Sequence, residues 1–154
     1  MRPMKTACLA VIAISLAACT TAPPIAKADP AAEAQVLQRV NTLLSRYSSN
    51  DQPGVVAMLD PRKLSVFGSN LSEVIHSSDE MRSFMSRDFA QWGGAKFSDV
   101  RNTDVRVDGN LATAYFVITF SAANGPTLPI RLCTTWHRVK GEWLLTQSAS
   151  AVMQ

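Results

Sequence analysis

The stretch VFGSNLSEVIHSSDEM, residues 66–81, holds one of only two histidines in the chain, His76, with Glu73, Asp79 and Glu80 close by. A histidine among carboxylates is material for general acid–base chemistry, provided that a titratable group is held in a pocket with a shifted pKa. Alternation opposes a direct Glu73–His76 pair, because in a regular strand Glu73 and Ile75 point to one side and His76 to the other. Ser77 and Glu80 stand at capping-box spacing, so the acid at 80 serves a helix N-terminus, and Asp79 suits the same helix dipole. Gly68-Ser69-Asn70 is turn chemistry. His76, at a strand-to-helix junction, remains a catalytic candidate. Tyr47, able to reach inward from the first helix, is a second, although its spacing also makes it an ordinary core aromatic. Asp99 and Asp104 lie in a polar strand half whose faces alternation does not settle.

The chain has 154 residues, 47% hydrophobic and 18% charged, enough for one domain with a single core. MRPMK is a short positive segment, and the uncharged apolar run TACLAVIAISLAA that follows is too short to span a bilayer, which takes roughly 20 residues. Leu16-Ala17-Ala18-Cys19 resembles a bacterial lipobox. The expectation is a lipoprotein signal peptide over 1–18, lipidation of Cys19, a tether over 19–28 and a folded domain over 29–154. The implied location is the cell envelope: outer membrane facing the periplasm, anchored to the membrane through lipid. Acyl chains on one cysteine anchor through about 0.8 kcal/mol per buried methylene. Cys8 lies in the segment removed and Cys19 is consumed, leaving Cys133 alone and no intramolecular disulfide. No Cys/His spacing suits zinc, so neither metal nor cofactor is expected. Removing Arg2 and Lys5 takes 15 bases to 13 against 12 acids, with no basic run, which disfavours nucleic acid as a partner.

Elements that would position these residues follow from periodicity and breakers. Asp29-Pro30 opens a helix over 30–49 whose apolar face is Val36, Val40, Leu43, Leu44 and Tyr47. Asp51-Gln52-Pro53 caps a short helix ending before Asp60-Pro61. Short strands at 64–67 and 73–75 precede a helix from Ser77 to Trp92, stopped by Gly93-Gly94. Four strand patterns, 97–107, 111–120, 128–139 and 143–152, are joined by turn signals at Asp108-Gly109-Asn110, Asn124-Gly125-Pro126 and Lys140-Gly141. Helices followed by an antiparallel meander make an α+β fold.

The order of these pieces, and FGSNLSEVIHSSDEM and WHRVKGEWLLTQSA in particular, resembles the SnoaL-like domain of the nuclear transport factor 2-like superfamily over about residues 30–152. The resemblance implies N-terminal helices packed in the concave face of a strongly bent, mainly antiparallel sheet, with a conical cavity. It implies no single function, since such domains include isomerases, dehydratases, polyketide cyclases, ligand binders and assembly modules. Alternation predicts a cavity lined by Phe116, Ile118, Thr134, Trp136, Leu145 and Gln147, with Phe89 or Trp92 near its mouth. His137 should face outward. Where related domains often carry a histidine on the closing strand, this chain has Gln147 or Ala149. The expected function is non-catalytic binding of a small apolar or amphiphilic molecule. The alternatives are an isomerase, dehydratase or cyclase in the same cavity, or a homodimeric assembly module using the outer sheet face.

Overall fold

The structure, a computed structural model, describes residues 29–153. The expected signal peptide, Cys19 and tether lie outside the described residues.

Helix α1, Pro30–Ser48, begins where the Asp29 side chain accepts a hydrogen bond from the Ala32 N–H and proline takes the first helical position. It buries Ala32, Val36, Val40 and Leu44 along one stripe. Helix α2, Gln52–Val56, is capped by Asp51, which accepts from the Gly54 N–H. Strands β1, Ser65–Phe67, and β2, Val74–Ile75, form a small hairpin. Helix α3, Ser78–Trp92, carries the capping box: Ser77 accepts from the Glu80 N–H and the Glu80 carboxylate from the Ser77 N–H. It ends at Gly93, whose φ of 67° is the left-handed conformation glycine tolerates.

The four long strands are β3, Ala95–Asp108; β4, Leu111–Ala122; β5, Thr127–Val139; and β6, Glu142–Val152. The sheet order is β2-β1-β6-β5-β4-β3, antiparallel except where β1 runs parallel to β6. The fold is α+β, with the helices in the concave face of an open, strongly bent sheet. Bulges supply the bend. In β3 the register slips between Ser98 and Arg101 and again between Arg101 and Asp104, with Asp99 and Asn102 at φ of 54° and 52°. These breaks explain why alternation could not place Asp99 and Asp104; both are exposed. A bulged, charged outer strand also makes a poor template for edge pairing.

The bulge in β6 has more consequence. Trp136 pairs with Leu145 but Thr135 pairs with Gln147, so Thr146 is the extra residue, its hydroxyl donating to the Thr135 carbonyl at 3.1 Å. The chain after α2 docks there, with Asp60 N–H on the Leu145 carbonyl and Leu145 N–H on that of Met58, both at 2.8 Å. Asp60 is fully buried, and its carboxylate accepts from the Arg62 backbone N–H, Nε and Nη2 at 3.0–3.1 Å. These bonds hold its pKa down to about 2. His137 is partly buried beside it, Nδ1 to Oδ2 being 3.6 Å.

Candidate functional site

A cavity of about 230 Å³ opens between α1, α3, the β1–β2 hairpin and the inner face of β4–β6. Its wall is mostly apolar, with Leu43, Phe84, Phe97, Phe120, Ile130 and Leu132 prominent. Two carboxylates interrupt it, Asp88 and Glu73. Asp88 stands on α3 in the same stripe as Met81, Phe84 and Trp92, and Tyr47 reaches it from the end of α1. The Tyr47 hydroxyl donates to Asp88 Oδ2 at 2.5 Å. Burial raises the Asp88 pKa above the ordinary carboxylate value, the charge of Glu73 adds to that, and the Tyr47 bond opposes it. Burial also raises Tyr47, with the neighbouring Asp88 charge next in weight. The phenol is therefore the donor and the carboxylate the acceptor.

Glu73 is fixed from the hairpin turn. Asn70 donates to it from its backbone N–H at 3.1 Å and from Nδ2 at 2.7 Å. Gly68 makes this fold possible, since a Cβ there would collide with the Glu73 carboxylate. Polar groups of Ser69, Asn70, Ser148 and Ser150 complete the lining, and among the described residues no Lys, Arg or His is part of it. Among the described residues no three His, Cys, Asp or Glu side chains come together in a metal-binding arrangement.

The structure distributes the residues singled out from sequence unevenly. Tyr47, Trp92 and Leu145 line the cavity. Phe116, Ile118, Thr134 and Trp136 face inward but are packed, at 0–2% exposure, away from the cavity. Helix α1 packs on β3 and on β4, and its Val36 and Val40 share one buried cluster with Phe116 and Ile118. Thr134, expected as a polar group for ligand, instead accepts from the Trp136 indole N–H at 3.0 Å and donates to the Ala114 carbonyl at 3.3 Å. Gln147 is exposed, because the Thr146 bulge reverses the alternation and turns Ser148, Ser150 and Val152 inward. His76 is exposed, with Nδ1 3.3 Å from the Leu64 carbonyl and outside the cavity wall. Phe89 packs on Tyr47, ring centroids 6.1 Å apart, without lining the cavity. Asp88 is the site residue that motif reasoning does not reach; its signal in the sequence is an acid inside the apolar stripe Met81, Phe84, Trp92, where a solvated residue has no place.

The family model of the SnoaL-like domain matches residues 36–154. The chain belongs to the SnoaL-like domain family. No curated protein matches it. Solved structures resemble this SnoaL-like domain in fold. One is a candidate dehydratase of the NTF2-like family from Streptomyces avermitilis, 13% identical, with a TM-score of 0.72 over 81% of this chain and 98% of that one. Another is an NTF2-like protein of unknown function from Pseudomonas putida KT2440, 15% identical, TM-score 0.70, covering 80% and 87%. A third, from Xanthomonas campestris, is a candidate association domain of calcium/calmodulin-dependent protein kinase II, 20% identical, TM-score 0.66, covering 77% and 85%. The scaffold is one used for ligand binding or isomerase-type chemistry.

Proposed function

We propose that the cone of this SnoaL-like domain binds a small, mainly apolar molecule whose polar end meets Asp88 and Tyr47. The observation that carries this reading is the hydrogen-bonded carboxylate–phenol pair in the wall of an otherwise apolar cavity. A carboxylate offers about four acceptor positions and Tyr47 uses one, leaving Asp88 able to accept from a ligand hydroxyl or amine. The volume of about 230 Å³ lies below the roughly 300–1,000 Å³ of typical ligand clefts, which argues for a small occupant. Binding without turnover is favoured because Tyr47 spends its proton on Asp88. The Asn70 amide is already given to Glu73, which leaves Ser hydroxyls and the Trp92 indole N–H, itself beside Asp88, to meet a developing oxyanion.

A second reading, proton transfer of the isomerase, dehydratase or cyclase type, is favoured by the raised pKa of Asp88, since a base works best with its pKa near the working pH. A thermal-shift screen of small apolar alcohols and ketones tests the first reading. Stabilisation of the native protein that disappears in a cavity-filling Leu132→Trp variant is expected, and the absence of any shift would sink it. The same ketones incubated in D₂O separate the two readings. Deuterium incorporation beside the carbonyl that is lost in Asp88→Asn would replace binding by catalysis.

The proposed setting is the cell envelope, with Cys19 lipidated and the domain tethered by 19–28. It rests on the lipobox-like Leu16-Ala17-Ala18-Cys19 after an uncharged apolar run. Cys19→Ala should move the protein from the membrane fraction to the soluble one, and unchanged membrane association would defeat the assignment. The outer sheet face, where Leu111 and Tyr115 are 55% and 47% exposed, supports a homodimer.

A further inference from the structure

We infer that the ligand of this cavity is a cation, a small alkylammonium. The inference rests on the cavity being a ligand site and adds the class of molecule. Two independent features point the same way. Among the described residues the charged ones in the wall are Glu73 and Asp88, both acids, and Glu73 lies close enough for its charge to raise the pKa values of Tyr47 and Asp88. No lining cation compensates them; Arg87 acts on Asp88 only as the smallest of the influences on it and lies outside the wall. An anionic ligand would meet repulsion in a setting where water screens poorly, while a cation would relieve the cost of keeping two carboxylates beside apolar surface.

The second feature is aromatic. Tyr47, Phe97, Phe120 and Trp92 form an unbroken series of rings along the same wall, with successive centroids 5.2, 5.7 and 6.3 Å apart. The faces of such rings carry negative potential and attract a desolvated ammonium, most strongly at tryptophan. Aromatic cages recognise quaternary ammonium groups through this attraction, which a neutral carbon counterpart lacks. Asp88 sits between Tyr47 and Trp92, bonded to the first and one helical turn before the second, so the charge and the rings address one place.

The test uses three probes of nearly one shape: choline, its uncharged counterpart 3,3-dimethylbutan-1-ol, and 3,3-dimethylbutanoate. Each is titrated by calorimetry into protein beginning at residue 29 and into the full chain in detergent. Choline is expected to bind about tenfold tighter than the alcohol, a difference of ~1.4 kcal/mol, and the carboxylate to bind least. Trp92→Leu and Glu73→Gln should each bring the choline-to-alcohol affinity ratio, measured on the same variant, from about tenfold to near one; the glutamine still accepts from Asn70, so the hairpin keeps its bond. Equal affinity for choline and the alcohol, or tighter binding of the carboxylate, would overturn the inference and leave the binding reading intact. Failure of all three to bind would overturn both.

Discussion

The inward side chains of β4 and β5 begin in a filled space and end beside an empty one. Ala114, Phe116, Thr134 and Trp136 are sealed in the core with Val36 and Val40 of α1. Farther along the same two strands, Phe120, Leu128, Ile130 and Leu132 border the cavity. Both stretches are apolar and both face the helices. What differs is the cover: α1 packs on β3 and on β4, while the cavity side is bounded by side chains of α1, α3 and the β1–β2 hairpin that leave a gap between them. Alternation therefore tells which side of a sheet a residue faces, and the helices decide whether the facing space is occupied. The two regions also hold contrasting carboxylates. Asp60 is fixed by the Arg62 guanidinium and its pKa is lowered, whereas Asp88 has a neutral phenol for a partner and its pKa is raised.

The sharpest way to break this comparison is truncation. Trp136→Ala in the packed region should cost about 3–5 kcal/mol in urea unfolding, because a fully buried indole leaves a void and strips Thr134 of its partner. Leu132→Ala should cost only about 2 kcal/mol, the low end for a leucine truncation, since part of its surroundings is already empty. Equal losses would mean that the cavity is not an unfilled region of the core. Next in size is the acid response of Asp60. Its folded pKa lies below the usual 3.8, so its contribution is fully present above that value and is lost as pH falls toward about 2. The contribution amounts to about 2 kcal/mol. Asp60→Asn should flatten the loss of stability over that range, and an unchanged acid limb would refute the ion pair. The smallest effect has the opposite sign. The raised pKa of Asp88 means that ionisation destabilises the folded state as pH rises past the unfolded value near 3.8. Asp88→Asn should raise the melting temperature by a few degrees at pH 7, with the gain vanishing below pH 3.8. A variant that melts lower at pH 7 would show that the charge is not under strain.

Much of the frame was legible because it rests on local chemistry. Asp29-Pro30, Ser77 with Glu80, and Gly93 mark helix ends in sequence and do so in the structure. Val36, Val40 and Leu44 recur at helical spacing and are buried. The turns around Gly109 and Gly141 fall between strands where glycine at positive φ is needed. The cavity wall was less legible. Phe116 and Trp136 carry the same inward signal as Leu132, and nothing local tells a packed residue from one that borders a void. Thr134 looked like a polar group awaiting a ligand because its partner, the Trp136 indole, is on its own strand two residues away. The bulge at Thr146 depends on docking of the 58–60 segment, a tertiary event with no local mark. Asp88 was readable, as an acid in an apolar stripe, but the brighter cluster around His76 drew the chemistry elsewhere.

That bulge gives the pocket a property more often associated with a reading frame than with a side chain. Ser148, Ser150 and Val152 face the ligand space because one additional residue precedes them in β6. Deleting Thr146 would place Gln147 directly after Leu145, still facing outward, and leave Ser148, Ser150 and Val152 inward; only closing the bulge with the residue kept would present Gln147, Ala149 and Ala151 instead. The bulge is thus a place where β6 can gain or lose one residue and keep the same wall beyond it.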